Sequence, residues 1–144
     1  MSGHARDSEI KTLSIMDGAL PSGKANEVLD EVQQVMGFVP NFFKAQADVD
    51  PFWLELNWLR FKQTMLLRGQ LSRKTKELIA MTVAIVSNCE YCSVAHESMA
   101  GKKGASVDQV NETKKVIELF ASFSSIATSL RVPCDVTPDM LDNP

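Results

Sequence analysis

The sequence predicts an all-α fold. Three observations carry this. Apolar residues recur at helical spacing, as at Leu54, Trp58, Phe61 and Met65, which stand at i, i+4, i+7 and i+11. Cap residues stand where such stripes begin and end. The one stretch that could equally be a buried strand, Thr82–Val86, continues a strongly helical segment and has no partner strand elsewhere.

The elements follow in order. Residues 1–23 are polar and mixed and contain the break Pro21-Ser22-Gly23, so they read as an arm or loop. Residues 24–144 read as one helical domain. From Lys24 to Met36, Val28, Leu29, Val32 and Val35 form a stripe, and Gly37 is its stop. Pro40-Asn41 starts a short helix through Ala47. Asp50-Pro51 starts the next, with aspartate as N-cap and proline at the first helical position; it runs to Gly69. Ser72 opens a helix to about Ser87, in which Leu78 to Val86 is apolar or small on every side and is expected to be buried all round. Asn88 is the expected N-cap of a helix ending near Gly101 or Gly104. Ser106-Val107-Asp108-Gln109 has the form of a capping box. The last helix carries Val116, Phe120, Phe123, Ala127 and Leu130 on one stripe, and the tail from Pro133 is irregular.

Composition narrows the function classes. A chain of 144 residues is long enough to bury a real core. A net charge of -3 without a basic, aromatic-rich patch speaks against nucleic acid as a partner. No apolar run reaches the roughly 18 residues of a membrane span, and the first residues lack the apolar core of a signal peptide. The expected location is cytoplasmic, with no membrane partner. In a reducing compartment a C-x-x-C pair is more often catalytic or metal-binding than a structural staple.

The chemistry concentrates in one window, Cys89-Glu90-Tyr91-Cys92-Ser93-Val94-Ala95-His96. It holds two of the three cysteines and one of the two histidines. The others, His4 in the arm and Cys134 in the tail, receive no role. Cys92 and His96 are four apart and share a helix face. Glu77 stands twelve residues before Cys89. A sharp turn at Ser87-Asn88 would fold two helices back antiparallel, with Glu77 about 15 Å down one and His96 about 12 Å down the other. The spacing therefore permits a chain Glu77–His96–Cys92–Cys89 from the interior outward. A thiolate is the reactive form of cysteine, and a helix N-terminus favours it. Histidine can take or return a proton near neutrality, and a carboxylate behind it fixes the ring. A second thiol within reach can resolve a sulfenic acid to a disulfide.

The pattern E-x(11)-C-x-x-C-x-x-x-H resembles the signature of alkylhydroperoxidase D and its relatives in the carboxymuconolactone decarboxylase superfamily. Gly37-Phe38-Val39-Pro40-Asn41 resembles the G-x-x-P-N entry segment of that family. Gly69-Gln70-Leu71-Ser72, followed by Lys76-Glu77-Leu78, resembles the segment leading to its glutamate. The likeness covers roughly residues 37–104. It implies an all-α fold around a helical hairpin, assembled as a trimer or a hexamer. It also implies a thiol-dependent peroxidase acting on organic hydroperoxides, with Cys92 as the peroxidatic thiol and Cys89 as the resolving one. Glu77 and His96 would form the proton relay, with Glu77 as general base behind the ring. The reductant would be a dithiol donor of lipoyl or thioredoxin type, and no cofactor is expected. Tyr91 departs from alkylhydroperoxidase D, which has a histidine between its cysteines. The lactone-decarboxylase members lack the C-x-x-C, so its presence argues for redox chemistry.

Other readings stand beside this one. The enzyme could act on a lactone or related substrate. Cys89, Cys92, His96 and Glu77 could instead be four zinc ligands, or the cysteines a non-enzymatic redox sensor. Glu77 could be a surface residue paired with Arg73 at i−4. Trp53 and Leu56 lie off the Leu54–Trp58–Phe61–Met65 stripe, so that helix has a second apolar face needing a second surface, which a homo-oligomer would supply.

Overall fold

The computed structural model describes residues 24–137; the arm expected over residues 1–23, with His4, and the last residues of the tail lie outside them. Among the described residues there are six α-helices and one π-helical turn. The chain divides into two compact units, the second beginning at Arg68.

The first unit packs three helices. Helix α1, Ala25–Met36, ends at Gly37, whose φ of 83° lies in the left-handed region that glycine enters at no steric cost and whose N–H closes on the Gln33 carbonyl. Helix α2 spans Asn41–Val49 and α3 spans Pro51–Phe61. The Asp50 side chain caps α3 by accepting the Phe52 N–H at 2.9 Å. Val28, Val32, Phe43, Leu54 and Trp58 form the core. Trp58 is buried in full, and its indole N–H donates to Glu31 Oε2 at 2.9 Å. Lys62 Nζ donates to both Glu31 oxygens, and these bonds hold that carboxyl below its usual range against the opposing effect of burial.

The expected single helix to Gly69 is shorter in this unit. It changes to a π-helical turn over Lys62–Leu66, where the Leu67 N–H reaches back five residues to the Lys62 carbonyl at 3.1 Å. The wider turn interrupts the stripe: Leu54 and Trp58 are core, whereas Phe61 and Met65 are half-buried.

The second unit builds the hairpin. Helix α4 spans Arg73–Val86, α5 spans Glu90–Lys102 and α6 spans Val107–Ser129. Ser72 caps α4 by accepting the Thr75 N–H at 3.1 Å. Ser106 and Gln109 cap α6 reciprocally, each side chain accepting the other's N–H. Glu77, Met81 and Ala84 of α4, Ala100 of α5, and Val110 and Ile117 of α6 are buried.

Two expectations are corrected here. Asn88 is not the N-cap of α5. Its φ of 54° is left-handed, a conformation asparagine tolerates, and it serves to reverse the chain. An N-cap needs extended backbone; Cys89, with φ −93° and ψ 92°, has it and takes that position. The Leu78–Val86 run is not buried all round, because α5 and α6 cover one side of α4 only. Ile79, Val83 and Val86 face outward, Val83 with 60% of its surface exposed. The Val116–Phe120–Phe123–Leu130 stripe of α6 is likewise exposed. Among the described residues no helix is long and apolar enough to cross a membrane.

Candidate functional site

The site lies on the α4–α5 hairpin. The turn at Ser87–Cys89 is short, with the Asn88 N–H bonded to the Ile85 carbonyl and the Cys89 N–H to that of Ala84. It sends α5 back along α4, so residues at matching distances from the turn meet. Glu77 and His96 do so: His96 Nδ1 and Glu77 Oε2 are 2.7 Å apart.

The Glu77 side chain is 1% exposed, and both of its oxygens are occupied. Oε2 takes His96. Oε1 takes Arg73, whose Nε and second guanidinium nitrogen each approach to 2.6 Å. Burial alone would raise this carboxyl. The hydrogen bonds from His96 and Arg73, with their positive charge, outweigh it and hold the group below the usual 4.5. An ionised carboxylate only accepts hydrogen bonds, so the proton between the two residues belongs to His96 Nδ1. Nε2 is then the ring nitrogen available for exchange. The His96 side chain keeps 27% of its surface exposed.

The sulfurs stand at the start of α5. Cys89 and Cys92 are joined in a disulfide with their Cα atoms 5.3 Å apart, within the usual range for such a bridge. Cys89 Sγ also accepts the Cys92 N–H at 3.2 Å, in the place of an N-cap side chain. The helix N-terminus therefore addresses the Cys89 sulfur. Cys92, one turn further in, shares its helix face with His96 at i+4. Tyr91, which stands between the two cysteines in sequence, has half its surface exposed. Cys134 is an exposed free thiol in the tail.

Arg73 is the member that the sequence reading set apart from the site. Its pairing with Glu77 stood there as an alternative to the His96 contact. Both are present, because a carboxylate has two oxygens and each partner takes one. The i, i+4 spacing of Arg73 and Glu77 was the signal for it. Among the described residues, with Cys89 and Cys92 bridged, no group of three or more histidine, cysteine, aspartate or glutamate side chains is arranged to hold a metal ion.

Residues 48–133 match the model of the carboxymuconolactone decarboxylase family, a span that contains Glu77, Cys89, Cys92 and His96. The chain is 35% identical over 69 residues to the uncharacterized protein 4 in the cox locus of Paracoccus denitrificans. That match takes in 48% of this chain and 58% of the relative, so the chain spans less than two thirds of that relative's length. In three dimensions it is similar to the crystal structure of the alkylhydroperoxidase AhpD core from Rhodospirillum rubrum, with a TM-score of 0.74 and 30% identity. The superposition takes in 90% of this chain and 89% of that one. With the all-α hairpin and its cysteine pair, these likenesses identify the chain as a member of the carboxymuconolactone decarboxylase family, in its alkylhydroperoxidase D-like branch.

Proposed function

We propose that this protein is a thiol-dependent peroxidase that reduces organic hydroperoxides through a Cys89/Cys92 dithiol–disulfide cycle. The observation that carries the reading is the part-buried Glu77–His96 hydrogen bond one helical turn from a cysteine pair already close enough to be bridged. Family and fold are enzyme-associated and fit this chemistry.

In the reduced protein, His96 Nε2 takes the Cys92 proton, and the thiolate attacks a peroxide oxygen. The S–O bond forms, the O–O bond breaks, and the leaving alkoxide takes the proton from His96 as alcohol. Cys92 is now a sulfenic acid. The Cys89 thiolate, favoured by the Cys92 N–H, attacks the Cys92 sulfur. The S–S bond forms, the S–O bond breaks, and the departing hydroxide takes up the proton that Cys89 released on ionising and leaves as water. A dithiol of lipoyl or thioredoxin type then returns two electrons and two protons. Hydroperoxide and dithiol become alcohol, water and disulfide. Glu77 holds the ring throughout and balances the imidazolium. The two thiols are thus served by different devices, Cys89 by the helix N-terminus and Cys92 by the histidine.

The exposed apolar faces of α3, α4 and α6 support assembly as a homo-oligomer, a trimer or a hexamer built from trimers. The family name favours a second reading, an enzyme acting on a lactone. The cysteine pair has no task in that chemistry. The test is multiple turnover of an organic hydroperoxide with dihydrolipoamide as reductant, one alcohol released per dithiol oxidised. A single stoichiometric oxidation without turnover would make the protein a redox sensor instead.

A further inference from the structure

We infer that Arg73 is a positioning residue for this site, holding the Glu77 carboxylate ionised so that His96 keeps its Nδ1–H tautomer through the whole cycle. The inference rests on the reading of His96 as the proton relay.

The geometry is specific. Arg73 lies in the first turn of α4, whose start is held by the Ser72 cap. Its Nε and a terminal guanidinium nitrogen converge on Oε1, at 2.6 Å each, and leave Oε2 to His96. A carboxyl group this deeply buried takes up a proton unless a cation faces it. His96 cannot be that cation at every stage, because a relay is charged in one half of the cycle and neutral in the other. With His96 as sole partner, at the stage where the ring is neutral the buried carboxylate would take up a proton from solvent. The carboxylic acid would then donate to Nδ1, the ring proton would move to Nε2, and the base facing the thiol would be lost. Arginine stays charged across the working range of pH and removes this dependence. Two further lysines of this unit are engaged elsewhere: Lys114 of α6 pairs with Glu97 of α5 at 2.8 Å, and Lys74 reaches Gln109. Among the described residues, the cations bonded to this carboxylate are therefore Arg73 from its own helix and His96 from the facing one.

The test is heteronuclear NMR of the imidazole nitrogens in the full reduced chain carrying His4→Gln, which leaves His96 as its one histidine. In this background, at a pH where the ring is neutral, Nδ1 is expected to be protonated and Nε2 bare. Arg73→Met is expected to transfer a large share of the population to the Nε2–H tautomer. It should also slow alkylation of Cys92 near pH 7 about tenfold, a part of the usual contribution of a general base. Arg73→Lys should restore most of both. An unchanged tautomer with an unchanged alkylation rate in folded Arg73→Met overturns the inference. If that variant does not fold, Arg73→Gln, which keeps a donor without the charge, is read the same way. The tautomer is measured without peroxide, so a failure of hydroperoxide turnover would refute the peroxidase reading and leave this result standing on its own.

Discussion

His96 Nδ1 donates to Glu77 Oε2 at 2.7 Å across the hairpin, from a ring about a quarter exposed to a carboxylate with 1% of its surface in contact with solvent. The arrangement joins the interior to the helix face that carries Cys92. Its consequences can be measured separately.

Loss of the carboxylate should affect both stability and reactivity. Removing one partner of a buried ion pair typically costs 3–5 kcal/mol. Here Arg73 and His96 keep some contact with water, so Glu77→Gln is expected to cost about 3 kcal/mol in chemical denaturation. Alkylation of Cys92 should slow in Glu77→Gln and slow further in His96→Ala, within the roughly 10²–10⁴-fold that such groups contribute. Unchanged rate–pH profiles in both variants would place the pair outside the site.

The pH dependence of stability follows from the direction of the Glu77 shift. Its carboxyl is held below 4.5 in the folded protein. The unfolded chain therefore binds the proton first as pH falls, and the stabilisation is fully present above the unfolded value. It is lost as pH drops through the lower folded value. Melting temperature should fall as the pH drops below about 4.5 in the wild type and fall less steeply in Glu77→Gln. Parallel curves would mean that Glu77 is not ionised when folded.

The division of labour between the thiols is open to trapping. Cys89→Ser should react once with hydroperoxide and leave a sulfenic acid on Cys92 that dimedone captures. If the serine at position 89 blocks that first oxidation, the roles of the two sulfurs are reversed.

Assembly should be visible in solution. Val83, Val86, Phe120 and Phe123 are large and exposed on α4 and α6, and Trp53 and Leu56 on α3. Such area on one chain calls for a covering surface. Light scattering at micromolar concentration should give a multiple of 15.9 kDa, and Val83→Asp should lower it. A clean monomer mass in the wild type rules the oligomer out.

Much of this was legible in the sequence because it depends on local rules. Asp50, Ser72 and Ser106 cap the helices where their types and spacing put them. Counting residues from the Ser87-Asn88 turn put Glu77 and His96 at like depth, and a hydrogen bond joins them. What escaped depends on competition between neighbours. Asn88 and Cys89 both suit the end of a turn, and only the backbone decides which reverses the chain and which caps α5. The run from Leu78 to Val86 has no polar residue to mark its open side, so its exposure depends on how many helices reach it. The π-helical turn at Lys62 has no spacing signal of its own. The double use of Glu77 is not settled by spacing either: Arg73 at i−4 and His96 across the turn each suit the carboxylate, and only the fold gives each its own oxygen.

The central claim is that hydroperoxide reduction runs through Cys92 with the Cys89 bridge as its product. Hydroperoxide consumption by the dithiol-supplied wild type beside Cys92→Ser tests it most directly. The expected result is sustained consumption by the wild type and none above background in the variant, with both proteins folded. Equal consumption by the two would contradict the claim.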